Sequence, residues 1–186
     1  MKDEKKSKIQ NPKSKIQMRH TISILLANEA GELSRVVGLF SARGYNIETI
    51  SVGKTILPDF SRCTIVTEGD EKIVEQIIKQ CSRLARVREV KAVTTLPHIE
   101  REMGLVDVNA KTPSERQDIL NIVEIFRAKV VDMSHDKMIL EISGNKDKVD
   151  TMIELLKPFG INETARTGCV AINRLSPFEP IENNRD

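Results

Sequence analysis

The sequence predicts an α+β fold of two tandem ferredoxin-like modules, each with the element order β-α-β-β-α-β. Three observations carry this. Runs with every second residue apolar alternate with runs whose apolar residues recur at three and four; the order of these runs occurs twice; and the two halves match letter by letter. VVGLFSAR (Val36 to Arg43) aligns with IVEIFRAK (Ile122 to Lys129), IETIS with VVDMS, and EGDEKIVEQI with SGNKDKVDTMI allowing one gap.

From His20 to Leu26, Ile22, Ile24 and Leu26 fall on one face, the period of a half-buried strand. After the NEAG loop, Leu33, Val36, Val37 and Phe40 form one stripe of a helix that Gly44 can end in a left-handed conformation. Ile47 to Val52 and Arg62 to Thr67 read as strands around a turn with Pro58 and Asp59. Asp70 opens a second helix with Ile73, Val74, Ile77, Ile78 and Cys81 inward, and Val87 to Val93 is the closing strand. Beyond Pro97 the plan repeats. Met103 to Val108 is a strand, and Thr112-Pro113-Ser114-Glu115 is a capping box with Pro at the first helical position, followed by Ile119, Ile122, Val123 and Phe126. Strands at Val130 to Met133, Met138 to Ile142 and Ala165 to Ile172, with a helix from about Lys146 to Lys157, complete it.

These runs divide the chain into a Lys-rich tail (1–17), a first module (18–95), a second module (96–176) and a flexible C-terminal tail (177–186). In the first segment KSKIQ occurs at Lys6 to Gln10 and again at Lys13 to Gln17, a period of seven with only Ile9 and Ile16 apolar. No hydrophobic seam results, so disorder is expected, with Met18 as the natural start of the folded part. The formal charge of +2 resides in this tail: the remainder has 23 basic against 25 acidic side chains, a net charge of −2. A slightly acidic body lacks the electrostatic footprint of a nucleic-acid binder. No apolar run is long enough for a membrane span and no secretory signal is present, so a cytoplasmic location is expected. Cys63, Cys81 and Cys169 are widely spaced and read as buried small hydrophobes in a reducing compartment.

Catalytic chemistry is not visible. His20, His98 and His135 are isolated, with no Ser, Cys or carboxylate at a recognisable spacing, and no phosphate loop, dinucleotide fingerprint or metal motif occurs. With no Trp, one Tyr and five Phe outside the required strand positions, the aromatic platform of an RNA-binding sheet is missing. The stretch NEAGELSRVVGLFSARGYN (Asn28 to Asn46) differs. A helix N-terminus presents unpaired N–H groups to a carboxylate, Gly31 admits a close ligand, and Asn28 and Asn46 can donate and accept, with Ile47 or Leu33 beside an aliphatic side chain. The alternative is purely structural: Asn28 in an Asx-turn, Gly31 easing the start of the helix, Gly44 and Asn46 shaping its exit. Spacing leaves both open. The second module has a TPSE cap instead and no Gly after its helix, so whatever the Gly and Asn residues do belongs to the first module alone.

NEAGELSRVVGLFSARGYNIETISVG, followed by SRCTIVTEGD and later by IFRAKVVD and ARTG, resembles the regulatory (small) subunits of acetolactate synthase, also called acetohydroxyacid synthase. The resemblance spans Met18 to Arg174 in the family's motif order. It implies that the first module is an ACT domain, a ferredoxin-like fold that binds amino acids at interfaces, and that the second is ACT-like. It further implies a homodimer through the N-terminal modules, with valine as effector in the interface, held by Asn28, Gly31 and Asn46 with Ala30, Leu33, Ser34 and Ile47 as neighbours. The partner is a large catalytic subunit that carries thiamine diphosphate, Mg and FAD and condenses two pyruvates, or pyruvate with 2-oxobutyrate, in branched-chain amino-acid synthesis. The small subunit raises its activity and confers feedback inhibition; no catalytic or metal residue is expected in this chain. The turn from Pro58 to Arg62 is either a partner contact or an ordinary hairpin connection. Phe126 reads as core, and Arg127 and Arg166 to Gly168 as surface or interdomain contacts. A stand-alone ACT sensor acting on another partner would share the pocket. As a transcriptional regulator it would need a DNA-binding helix pair, for which no segment is left.

Overall fold

The computed structural model describes residues 18–175; the expected tails at 1–17 and 177–186 lie outside the described residues. The first module contains β1 (Met18–Ala27), α1 (Glu32–Ala42), β2 (Thr49–Lys54), β3 (Phe60–Gly69), α2 (Glu71–Cys81) and β4 (Val87–Ala92). The second contains β5 (His98–Asn109), α3 (Pro113–Ile125), β6 (Lys129–Met133), β7 (Lys137–Gly144), α4 (Lys146–Leu156), β8 (Ile161–Arg166) and β9 (Val170–Asn173). The antiparallel sheets run β2-β3-β1-β4 and β6-β7-β5-β8, the ferredoxin-like order in both, with β9 added beside β5.

Alternation in β1 works as expected on one face. Ile22, Ile24 and Leu26 meet Cys63 and Ile65 of β3 and pack under Val36 and Phe40 of α1 and Val74, Ile77 and Cys81 of α2. The equivalent second core joins Val106, Val108, Leu140 and Ile142 to Ile119, Val123, Val149, Met152 and Leu156. Phe126 packs against it, partly buried. Leu33 departs from the expected stripe: it is 37% exposed, because α1 turns Val36 and Phe40 inward and leaves its first turn open.

Helix ends follow local chemistry. Asp70 accepts from Ile73 N–H at the start of α2, Asn145 from Lys148 N–H at α4, and Thr112 with Glu115 forms the full capping box at α3 behind Pro113. Both first helices of the modules end in the same Schellman geometry. Tyr45 N–H donates to Phe40 O and Gly44 N–H to Ser41 O; Ala128 N–H donates to Val123 O and Arg127 N–H to Glu124 O. The left-handed residue is Gly44 (φ +67°) in one and Arg127 (φ +49°) in the other. Gly44 is therefore explained by the fold.

Two strand expectations change. β5 begins five residues before Met103, so His98 is the first residue of a strand rather than linker. Ala165 to Ile172 is two strands, because Gly168 (φ +74°) bends the chain between β8 and β9. β8 pairs with the second half of β5, from Gly104 to Val108, and β9 with its start, from His98 to Arg101. The ribbon formed by β9 and the start of β5 faces β1 of the first sheet. Thr21 and Ser23, expected to face solvent opposite Ile22 and Ile24, are 0% and 2% exposed; Thr64 and Val66 are buried beside them.

Replacing Arg127, the non-glycine residue held in the left-handed region, by Gly removes backbone strain. Arg127→Gly is expected to raise the stability of the chain by about 1 kcal/mol, read as a higher denaturant midpoint at unchanged slope.

Candidate functional site

The loop between β1 and α1 is the place in the first module where an α-helix starts without a side-chain cap. Gly31, at φ +89°, stands at the N-cap of α1, and no side chain caps this end. Glu32 N–H reaches Glu29 O only at 3.4 Å, and Leu33 and Ser34 belong to the same uncapped first turn. The other three α-helices of the described residues all have a side-chain cap. A Cβ built on Gly31 would meet nothing within 4 Å, so the space before the helix is open. Ala30, Leu33 and Ser34 are exposed around it. Uncapped N–H groups with the positive end of the helix dipole suit a carboxylate.

Asn28 does not form the Asx-turn considered above. Its N–H donates to Asp59 O at 2.8 Å and its Oδ1 accepts from Ser61 Oγ at 3.1 Å, which fixes the loop against the start of β3. This places the Pro58 to Arg62 turn in contact with the loop. Glu32, not anticipated from sequence, is buried beside Gly31 and pairs with Arg35 at 3.1 Å.

Asn46 and Ile47 stand elsewhere. Asn46 O accepts from Thr67 Oγ1 at 2.6 Å, and Thr67 pairs with His20 near the start of β1, whereas Asn28 follows its end. Eight residues of extended chain separate these ends, roughly 25 Å. The side chain of Asn46 is exposed, and Ile47 packs against the first core. One chain thus brings together Asn28, Ala30, Gly31, Leu33 and Ser34, and holds Asn46 and Ile47 at the opposite end of the sheet.

Between the two lies the open edge of β2. Ile50 and Val52 are 36% and 43% exposed and, paired with Ile65 and Cys63, are on the helix-bearing face of the sheet, as is α1 with Leu33.

A second constellation joins the modules. Glu100 of β5 accepts from Thr21 Oγ1 at 2.5 Å and pairs with Arg19 at 2.8 Å, with His98 at 3.5 Å. Arg166 bridges Glu102 and Asp150, the latter at 2.7 Å, and Lys146 pairs with Asp150 at 2.6 Å. A cleft of about 500 Å³ runs along this seam, lined by Arg19, Glu48, Thr49, Lys146, Arg166 and Gly168 among others. Each of its three cations already has a carboxylate partner, so the seam is a salt-bridged joint. Sequence reasoning read Arg166 to Gly168 as surface or interdomain contacts and missed the rest of the seam, whose trace is that β1 carries small uncharged residues, Thr21 and Ser23, where a solvated face would carry charges.

Nucleophilic chemistry is disfavoured by burial, which pushes the thiols of Cys63 up to about 12 and of Cys81 and Cys169 up to about 11. Among the described residues no cluster of three His, Cys, Asp or Glu side chains is placed to hold a metal, and no helix is long and apolar enough to cross a membrane.

Comparisons with known proteins give the family and the fold. Residues 22–89 match the family described as the AHAS small subunit-like ACT domain, and residues 101–175 the small subunit of acetolactate synthase. The chain is 46% identical over 165 residues to the acetolactate synthase small subunit of Aquifex aeolicus, covering 89% of this chain and 86% of that one. It is 48% identical over 157 residues to a probable acetolactate synthase small subunit of Archaeoglobus fulgidus, covering 84% and 98%. The crystal structure of the acetolactate synthase small subunit from Thermotoga maritima superposes with a TM-score of 0.80 at 41% identity, over 86% of this chain and 99% of that one.

The seam supplies a pH test. Burial alone would push the Glu100 carboxyl up, but hydrogen bonds from Thr21 and Arg19 and the charges of Arg19 and His98 outweigh it and hold it below its ordinary value of 4.5. A carboxyl depressed in the folded state contributes stability above its unfolded value and loses it as pH falls towards the folded one. Glu100→Gln is therefore expected to be less stable than wild type at pH 7, with the gap closing below about pH 4.5 and about one proton fewer taken up on acid unfolding. Thermal unfolding across pH 7 to 3 checks this.

Proposed function

The chain belongs to the acetolactate synthase small-subunit family, and from that premise we propose how this non-catalytic subunit regulates its complex. It activates the large catalytic subunit and confers feedback inhibition by valine in the synthesis of valine, leucine and isoleucine. Thiamine diphosphate, Mg and FAD belong to the large subunit on this reading, and the condensation is carried out there.

The observation that carries the effector assignment is the uncapped start of α1 at Gly31, in a chain whose other three described helices are capped. A free amino acid offers a carboxylate to those N–H groups, and its ammonium and aliphatic side chain call for an amide oxygen and an apolar wall. Asn28 and Leu33 are at hand; Asn46 and Ile47 are at the far end of the same sheet. A two-fold axis normal to the sheet at the open edge of β2 resolves this, because it carries the partner's far end to the near end of the first copy. Two copies so paired build two equivalent sites, each with Asn28 and Gly31 from one chain and Asn46 from the other. The same pairing continues the sheet across β2 and covers Leu33, Ile50 and Val52, whose exposure supports it.

Activation and inhibition by one chain require two arrangements that engage the large subunit differently, and valine shifts their balance only as far as it binds one better. Two variants test the reading. Gly31→Asp places a carboxylate where the ligand's would sit, at a left-handed position that Asp tolerates better than most residues. Activation of the large subunit is expected to persist while the half-inhibitory valine concentration rises at least about tenfold, equivalent to about 1.4 kcal/mol. A folded Gly31→Asp chain that no longer activates, or one still inhibited like wild type, contradicts a distinct effector site. Val52→Lys puts a charge at the proposed two-fold contact on a side chain already open in the single chain. Sedimentation is expected to show a monomer with an unchanged melting curve at high dilution and weakened valine binding.

A further inference from the structure

The ARTG motif, Ala165 to Gly168, has no part in the effector site, yet it ends in a close backbone contact between the modules. The turn Thr167–Cys169 joins β8 to β9 and is fixed from the second module. Thr167 N–H donates to Met103 O at 3.0 Å, and Met103 N–H donates back to Thr167 Oγ1 at 3.1 Å. Arg166 ties its root to Asp150 of α4 and to Glu102 of β5. On the other side the turn presses on β2. A Cβ added at Gly168 would come within 3.3 Å of Ile50 O and of Thr49 Cβ, and the residue is at φ +74°, so both space and backbone call for glycine. Cys169 N–H faces Thr49 Oγ1 at 3.5 Å.

β2 is the strand that follows Asn46. Glu48 N–H donates to Val66 O and Asn46 O accepts from Thr67 Oγ1, so the segment from Asn46 to Ile50 is tied to β3 at both ends of a bend at Glu48. Asn46 thus stands three and four residues before Thr49 and Ile50, whose atoms lie against Gly168. From there the path to the second module consists of hydrogen bonds and ion pairs, with no flexible connector.

We propose that the Thr167–Cys169 turn is the coupling element through which effector occupancy at Asn46 changes the seating of the second module on the first. Gly168 is a positioning residue in this scheme. It allows the turn to lie against the β2 backbone and touches no ligand itself. The proposal rests on the effector reading above.

The test uses the full chain with its large subunit. Calorimetry on the free small subunit gives valine affinity, and the assay of the complex gives activation and inhibition. For Gly168→Ala, affinity and activation are expected to stay within about twofold of wild type. The effect of saturating valine on the complex, about fivefold or more when sites are coupled, should collapse towards none. Thr49→Val, which keeps the side-chain shape and removes the hydroxyl facing Cys169, should weaken inhibition in the same direction and guards against a folding defect in the first variant. In the wild type, hydrogen exchange should change on valine addition both in β2 and at residues 166–169. Full inhibition in a Gly168→Ala chain of normal valine affinity overturns the proposal, as does valine-dependent exchange in β2 without any at 166–169. Wild type that binds no valine refutes the effector reading instead, which separates the two failures.

Discussion

β5 serves two layers at once, and the rest of the molecule is arranged around that fact. From His98 to Arg101 it pairs with β9 and lies against the first sheet; from Glu102 to Asn109 it pairs with β7 in the second sheet. A continuous strand cannot bend freely, so the modules are joined by a stiff element as well as by the short 3₁₀ turn at Val93–Thr95. The face of the first sheet that would otherwise meet water is closed by this ribbon. Closing it calls for partners to the polar groups placed there, and Arg19 Nε is a buried atom that has none. Glu100 answers Thr21 and Arg19, and Arg62 answers Ser23 at 2.9 Å. The joint is specific because it is polar: sliding the ribbon by one residue along β1 would part Glu100 from Thr21 and Arg19.

The same chain shows what a helix start looks like when the fold alone decides it. α2, α3 and α4 are closed by Asp70, Thr112 and Asn145, each contributing about 1 kcal/mol. α1 forgoes that contribution. Its exit is the opposite case, since Gly44 does what Arg127 does at greater strain in the second module. The repeat therefore separates two glycines of similar appearance. One is accounted for by a Schellman turn found twice; the other sits at a helix end left open only in the module whose loop also carries Asn28.

Much of this was legible before any coordinates. Periodicity in Ile22, Ile24 and Leu26 and the TPSE cap located strands and helices, and the internal repeat supplied the order of elements twice. What escaped was long-range. Apart from their small size and lack of charge, nothing local distinguishes Thr21 and Ser23 facing solvent from the same residues under a ribbon about eighty residues away in sequence. A strand from Ala165 to Ile172 was interrupted in propensity only at Gly168, and the two partners at different halves of β5 require the break there. Leu33 matched the helical stripe by spacing, but in the first turn of α1 it is Glu32 that is buried and Leu33 that is exposed. The candidate contacts from Asn28 to Ile47 read as one pocket because they are adjacent in sequence. The helix between them carries the chain from one end of the sheet to the other.

That separation has a thermodynamic consequence on the proposed reading. An effector whose contacts are divided between two copies binds the pair and scarcely binds one copy, so ligand and dimer stabilise each other to the same extent. At one hundred times its dissociation constant a ligand adds about 2.7 kcal/mol per site to the paired state. Such a contribution also restrains the start of β2, where Asn46 and Thr49 stand, and β2 is touched from its own chain by Gly168 and from the neighbouring copy at its edge. Regulation then requires no large motion within either core. Both cores are closely packed and resist deformation, whereas the seam at Thr49, Gly168 and Arg166 consists of ion pairs and one turn, which can exchange between discrete arrangements. On this reading the two arrangements differ in how the ion pairs of the joint are made, and the effector strand is fastened to that joint.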